Sequence, residues 1–476
     1  MQFNSYSYLL ALLIAVPLFW YLPVRLRRNY VLALSFAFYA TWSLYFLVLP
    51  IFMCAIVFWS SSRIRVGGMA GQRALWVGIA AVLLILGVFK YGRFVAENIN
   101  GLSHWLGIGS TPAIWSLALP LGISFYSFEA ISYLLDTRQG RVKSASFSDL
   151  LLFIMFWPHL IAGPIVRTRE LIPQLKFDRQ FEPRLVYSGL DRLLLGLVQK
   201  NLIANTIGSW VDDGFLPKAT ALNTTFDNWA LAVAFGIQIY FDFAAYSNMA
   251  IGAAQLIGIT LPENFRFPYH AANPADFWSR WHMTLSRWIR DYVFFPLNAG
   301  FQDNKLHLYV SLVAVMGLVG LWHGAGWGFI LWGAMHGVYL VGYRAFESWK
   351  GDVSTQSIAV RLSWRFITLG AVAAAWVPFR AGSIEQALVM LKSMFGQFTI
   401  GYSYSVNFYL MTLFWCAWIA IEPLFATLIA VMGESDRPGF FGALNGLLMR
   451  PAAYASLLLL FLTFDDRDAQ FIYFQF

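Results

Sequence analysis

Charge is what this sequence has least of. Asp, Glu, Lys and Arg together make up 12% of 476 residues, roughly half the share of an ordinary soluble chain. Such a chain could not cover its surface with polar groups in water. Hydrophobic residues reach 59% and aromatic residues 18%, with 43 Phe and 20 Trp, and the mean hydropathy is +0.59. This composition excludes a water-soluble globular protein and implies a multi-pass membrane protein. Cysteine is scarce too. Cys54 and Cys416 stand alone in apolar runs, which argues against a disulfide framework or a thiolate metal site.

Several chemical signatures are also missing. There is no G-x-x-x-x-G-K-[ST] for a P-loop ATPase. No G-x-S-x-G elbow, no H-E-x-x-H and no H-x-x-x-x-D occurs. Phe277 stands three before Arg280, so Q-x-x-R-W of a processive glycosyltransferase is absent. "GAGWG" at 324–328 has neither the glycine spacing nor the preceding strand of a dinucleotide site. The net charge of +8 could suggest nucleic acid, but the cations sit in short clusters between apolar runs, as in cytoplasmic loops. No nucleic-acid partner is expected.

A bilayer core needs about 20 apolar residues per helix. Candidate spans are 6–23, 30–47, 48–61, 74–89, 113–135, 228–241, 243–260, 308–322, 327–343, 364–379, 406–431 and 452–464. This predicts an all-α integral membrane protein with about ten to twelve crossings, re-entrant and interfacial pieces included. No repeat, linker or low-complexity tract divides it, so one membrane-embedded domain over 1–476 is expected. "MQFNSYSYLL" carries no positive charge while "RLRR" follows the first run. The first segment is therefore expected to stay as an anchor, with the N-terminus extracytoplasmic.

The middle of the chain mixes charge with apolar residues. "FWSRWHMTLSRWIRDYVFFPL" (277–297) reads as one amphipathic helix. At 100° per residue, Trp281, Leu285, Trp288 and Tyr292 share one face. Arg280, Thr284, Arg287 and Asp291 share the opposite one, with His282 at the rim. An interfacial helix fits that pattern, and so does a plain interfacial anchor.

Histidine is the remaining reactive group. His323 and His336 lie in "GLWHGAGWGFILWGAMHG" (320–337). On one unbroken helix they would stand about 20 Å apart and could not share a small substrate. Gly324, Gly326 and Gly328 predict a bend instead. Exposed backbone at a bend is tolerated in a membrane only against protein or a wet cavity. His323 is therefore read either as the edge of such a cavity or as a buried histidine bonded to a helix carbonyl. His159, in "FWPHLIAGPIVR", lines a cavity or is a satisfied helix-end histidine.

"LPLGISFYSFEAISYLLD" (119–136), "PHLIAGPIVR" (158–167), "IYFDFAAYSNMAIG" (239–252), "LPENFRFPYHAANPADFWSRWHMTLSRWIRDYVFFPL" (261–297), the 320–337 stretch and the terminal "YFQF" (473–476) occur in this order. Together they resemble the membrane-bound O-acyltransferases. The likeness is to the bacterial branch typified by the alginate O-acetyltransferase membrane protein and the teichoic acid D-alanyl transfer protein. The sequence departs from that branch at Glu129, Asn248 and Ala245, where it has an amide, an acid and a glycine. The resemblance implies that His323 is the catalytic histidine and that His282 faces the same tunnel. It implies tunnel or supporting positions for His336, Trp322, Trp327, Asp291 and Asn264. Arg287 and Arg290 are candidate contacts for donor phosphates, although surface anchoring explains them equally well.

Acyl transfer to a hydroxyl needs a base, stabilisation of the oxyanion and exclusion of water. A neutral imidazole can take the proton, or it can attack a thioester and carry the acyl group itself. The glycines beside His323 could admit backbone N–H groups to the carbonyl oxygen. The resemblance implies acetyl-CoA as co-substrate, no bound cofactor or metal, and a site in the bacterial inner membrane. It implies an exported polysaccharide such as alginate or cellulose as final acceptor. A polysaccharide synthase or secretion complex and a separate extracytoplasmic acetyltransferase or acceptor protein are the expected partners. D-alanyl transfer to a cell-wall polymer is the alternative acyl chemistry. A transporter or flippase is the rival from another class: broken spans with polar residues fit it, while missing inverted symmetry counts against it. An inactive secretion scaffold is a second rival, disfavoured by His282 and His323.

Overall fold

A computed structural model of the chain describes residues 1–433 apart from 109–116, 144, 221, 302–303, 352 and 397, together with 455, 456, 463, 471 and 472. The backbone alone is described for 425–433. The expected span 452–464 and the terminal "YFQF" fall almost wholly outside these residues. The described residues hold helices and no strand. The protein is an all-α, multi-pass membrane protein. Among the described residues six helical segments are long and apolar enough to cross a bilayer: Tyr45–Val66, Gly68–Trp105, Thr225–Leu256, Lys305–His323, Ile358–Arg380 and Val406–Leu424.

The chain forms two compact units. One comprises Met1–Leu193 and Met249–Pro262, the other Leu194–Asn248 and Glu263–Phe476. In the first unit, Tyr6–Tyr21 begins at Ser5, whose Oγ accepts from Tyr8 N at 3.2 Å. The run expected over 74–89 proves longer. Gly68–Leu86 passes through a π-helical turn at Gly87–Tyr91 into Gly92–Trp105. These 38 residues reach roughly 57 Å at 1.5 Å per residue, well beyond the hydrocarbon core. Lys90 sits inside this segment and donates to Ser124 Oγ at 3.0 Å. Ile123–Arg138 is almost entirely buried. Its Glu129 meets His159 Nδ1 at 3.0 Å, with the two side chains 2% and 1% exposed. His159 Nδ1 is thus answered by an acid while its Nε2 is buried without a protein partner among the described residues; the residue lies in the turns after Phe147–Met155.

Two expected spans, 228–241 and 243–260, are one continuous helix, Thr225–Leu256. Of its most apolar stretch 89% is buried inside the protein, against 22–39% for the other five segments. Asp242 looked like an interruption in the sequence. It is instead met by Lys200 Nζ at 2.6 Å and by Ile472 N at 2.8 Å. An acid answered by protein does not need water, so the helix continues.

The second unit also holds a helical hairpin, Lys305–His323 and Trp327–Lys350, joined at Gly324–Gly326. A Cβ on Gly320 would lie 2.0 Å from Phe329 O, one on Gly333 2.1 Å from Met316 O, and one on Gly337 2.6 Å from Val313 Cα. The paired numbers run in opposite senses, so the helices are antiparallel and touch backbone to backbone. Small residues permit this approach, which is how helices associate where lipid offers no hydrophobic drive. Gly333→Ala should destabilise the protein by about 1–3 kcal/mol, read as a lower Tm in detergent. Gly342→Ala is the control, because a Cβ there meets nothing within 4 Å; equal shifts for the two would refute the tight hairpin.

Candidate active site

The expected single helix over 277–297 is broken. Pro274–Arg280, capped by Asn273 Oδ1 accepting from Asp276 N at 2.8 Å, stops at Trp281. A new helix, Met283–Ile289, follows, and a π-helical turn at Arg290–Phe294 leads on to Phe295–Asn298. Between the first two stands His282 at φ 42°, ψ 53°. That left-handed conformation costs a non-glycine residue roughly 1–3 kcal/mol. The segment 264–266 holds the break: Met283 N donates to Asn264 O at 2.9 Å and Arg266 N to Arg280 O at 2.9 Å. Trp281, Leu285, Trp288 and Tyr292 are buried as the periodicity indicates. Thr284, expected on the polar face, is buried too, and His282 is not at a rim but wholly covered. Helical periodicity cannot register a positive φ.

The break fixes the state of the His282 ring. Asn264 Nδ2 donates to Ser247 Oγ at 3.1 Å, while its Oδ1 accepts from Thr284 Oγ1 at 2.9 Å. His282 Nδ1 lies 3.0 Å from the same Oδ1. An amide oxygen only accepts, so Nδ1 carries the proton and Nε2 keeps a bare lone pair. Nε2 is buried without a protein partner among the described residues. Burial pushes the pKa of His282 down to about 3, so the ring is neutral near pH 7.

His323 is the last residue of its helix. Its ring centroid lies 6.3 Å from that of His282, 4.9 Å from Trp322, 5.1 Å from Trp332 and 5.5 Å from Phe379. The hairpin brings His336 to the far side of Trp332, which it approaches at 5.0 Å. His336 stacks on Phe277 at 5.9 Å and meets Trp278 edgewise at 5.1 Å. The three imidazoles thus line one aromatic cluster, with Trp332 touching both hairpin histidines. His282 and His323 are 0% and 4% exposed. Aromatic rings surround the His323 ring on several sides.

The other expected residues are more dispersed. Trp322 belongs to the cluster, whereas Trp327 begins its helix 55% exposed. Asp291 accepts from Arg290 Nε at 2.8 Å. Arg287 donates to Met283 O at 3.2 Å and to Glu263 O at 3.4 Å. The N–H groups of Gly324 and Gly326 are donated to Gly320 O and Gly324 O. Those two amides therefore serve the turn and not an oxyanion. Beside the cluster, Trp278, Leu285, Ile289, Val315 and Met316 line an apolar cavity of about 120 Å³ with Arg290 at its edge.

Sequence reasoning did not single out Ser247 or Thr284, which orient Asn264, nor Trp376 and Phe379, which close the wall. It also missed Lys200 and Asp242, buried at 2% exposure each. Phe471 lies 4.5 Å from Lys200 Nζ and 5.0 Å from the Tyr246 ring, so the segment holding Phe471 and Ile472 is seated on that pair. The signal was present: a lysine in "LVQKNLI" and an acid in "YFDF", each inside an apolar run.

A many-helix membrane protein with buried histidines at a helix break and at a hairpin turn has the makings of an acyl-transfer enzyme. The family model of the membrane-bound O-acyltransferases matches residues 93–369, and the chain belongs to that family. It is an O-acyltransferase acting on hydroxyl groups. It is 36% identical over 400 residues to the probable alginate O-acetylase of Azotobacter vinelandii, covering 83% of this chain and 78% of the relative. It is 36% identical over 397 residues to the peptidoglycan O-acetyltransferase of Helicobacter pylori, covering 76% and 72%. Identity to the teichoic acid D-alanyltransferase of Bacillus subtilis is 30% over 277 residues, covering 54% and 69%.

The neutral state of His282 has a sign that can be measured. In the unfolded chain the ring titrates near 6.5, in the fold near 3. Between these values the unfolded chain binds a proton that the folded one refuses. Stability is therefore undiminished above pH 6.5 and falls as pH drops toward 3. His282→Asn should flatten the fall in Tm between pH 7 and pH 5; an unchanged slope would show that the ring is not buried neutral. Asn264→Leu, which releases Nδ1, should lower the transfer rate about tenfold or more with protein abundance preserved.

Proposed function

We propose that this enzyme passes an acetyl group from a cytoplasmic donor, acetyl-CoA, to an extracytoplasmic acceptor, for O-acetylation of an exported polysaccharide such as alginate or cellulose. The single observation that carries the reading is the bare Nε2 of His282 beside the His323 ring, in an aromatic enclosure that excludes water. Likeness to relatives named for alginate and peptidoglycan O-acetylation supports acetyl as the group and a cell-surface polymer as the destination.

His323 is the catalytic base in this reading. Its imidazole takes the hydroxyl proton as the oxygen attacks the thioester carbonyl. The tetrahedral adduct collapses, the C–S bond breaks, and the imidazolium returns its proton to the leaving thiolate. His282 holds its lone pair toward the same enclosure and supports the proton's passage. The aromatic rings part to admit the acyl group. Arg287 already spends N–H groups on backbone carbonyls, which leaves Arg290, 53% exposed beside the apolar cavity, as the better contact for donor phosphate. The charge bias of the loops supports an N-terminus outside a bacterial inner membrane. Delivery to a polymer then calls for an extracytoplasmic partner and a polysaccharide synthase or secretion complex.

His323→Ala should lower transfer of radiolabelled acetyl from acetyl-CoA into glycan or partner protein by at least about a hundredfold, with normal amounts of protein in the membrane. Normal acetylation in that variant would reject the assignment. Label arriving from a D-alanyl carrier, and none from acetyl-CoA, would replace acetyl by the D-alanyl chemistry of the Bacillus relative.

A further inference from the structure

We propose that a basic cavity in the first unit is a binding site for a phosphate-bearing anion. The cavity measures about 770 Å³ and is built by separate segments of Met1–Leu193. Arg25 and Arg28 come from the first turns of Val24–Ala40. Arg141 and Lys143 come from the loop after Ile123–Arg138. Arg169 and Lys176 come from the turns over Thr168–Lys176. Asp149 is the one acid in this lining, and it is engaged by Arg28 at 2.9 Å. Arg141 reaches Asp136 at 3.7 Å. Arg25, Lys143, Arg169 and Lys176 have no carboxylate partner among the described residues.

Four uncompensated cations around one hollow repel each other. A concave wall of protein strengthens their joint field and concentrates anions within it. Topology signals alone would need only cations in the loops, in any arrangement. They do not require three cation-bearing segments to converge on one cavity. Guanidinium groups match the paired oxygens of a phosphate, while Val24, Ile172 and Leu175 give the hollow an apolar side. Such a lining suits a phosphate attached to an organic body. That body is either the glycerol backbone of an anionic phospholipid, as in basic pockets on the cytoplasmic side of membrane proteins, or a soluble phosphate ester such as a nucleotide. The cavity is built from residues of the first unit and the histidine cluster from residues of the second, so the two share no side chain and the cavity can fail without touching the acyl-transfer reading.

The test uses the full chain in nanodiscs of pure phosphatidylcholine. One arm adds phosphatidylglycerol, the other adds coenzyme A. Wild type is compared with the double variant Arg169→Gln/Lys176→Gln and with Lys350→Gln/Arg361→Gln, two exposed cations of the other unit. Lys143→Gln in its loop serves if the double variant is poorly folded. The expected result is a ligand-induced rise in Tm for wild type and for the control. In the cavity variant the apparent Kd should rise at least tenfold, about 1.4 kcal/mol. Loss confined to the phosphatidylglycerol arm identifies a lipid headgroup, and loss confined to the coenzyme A arm a soluble ester. A cavity variant that responds like wild type in both arms, or a control that weakens equally, overturns the site.

Discussion

The bond from His282 Nδ1 to Asn264 Oδ1 decides more than the orientation of one ring. It requires the backbone to pass through a left-handed residue at 282, which ends one helix and begins another. It requires Asn264 to be oriented in turn, which Ser247 and Thr284 do. It leaves a basic nitrogen inside a covered site. Each requirement follows from the same constraint: in the apolar interior of a membrane protein a polar group left without a partner is costly, so His282 Nδ1 and the Asn264 amide are met by protein while His282 Nε2 alone of this network is left bare. A histidine placed there arrives with a network attached. The network selects the tautomer with the proton on Nδ1.

The same constraint explains features far from the histidines. Asp242 lies within a membrane-length helix because Lys200 and Ile472 N answer it. Glu129 lies in a buried helix because His159 answers it. Buried polar pairs of this kind add little net stability over apolar packing, since desolvation offsets much of the attraction. Removing one partner is costly all the same. The pair at Lys200 also gathers Phe471 and Ile472, so a stretch near the end of the sequence is tied to the most buried helix of the protein.

Much of the fold was legible because apolar runs were bounded by charge or glycine. The runs at 48–61, 308–322 and 364–379 became Val48–Val66, Lys305–His323 and Ile358–Arg380. The bend at 324–328 was legible from its glycines. What was not legible depended on partners distant in sequence. Asp242 looked like a gap between two spans because Lys200 stands 42 residues away. The helix over 277–297 looked continuous because its buried stripe keeps the same period across the break. His282, His323, His336 and Trp322 could be named from local motifs, yet only the hairpin and the Asn264 contact show how they meet. Trp327 shares the motif but starts a helix at the surface, a distinction the period cannot make.

Closure of the aromatic wall is the remaining step in the chemistry. With Trp322, Trp332 and Phe379 against His323, the ring is shielded from water. Water is the competing acceptor for any activated acyl group, and a site that admitted it freely would hydrolyse its donor. An enclosure that opens only to a donor or acceptor able to displace those rings resolves that conflict. The glycine hairpin serves this arrangement mechanically. Backbone contact at Gly320, Gly333 and Gly337 holds both histidine-bearing helices as one rigid piece, so the movable parts are side chains.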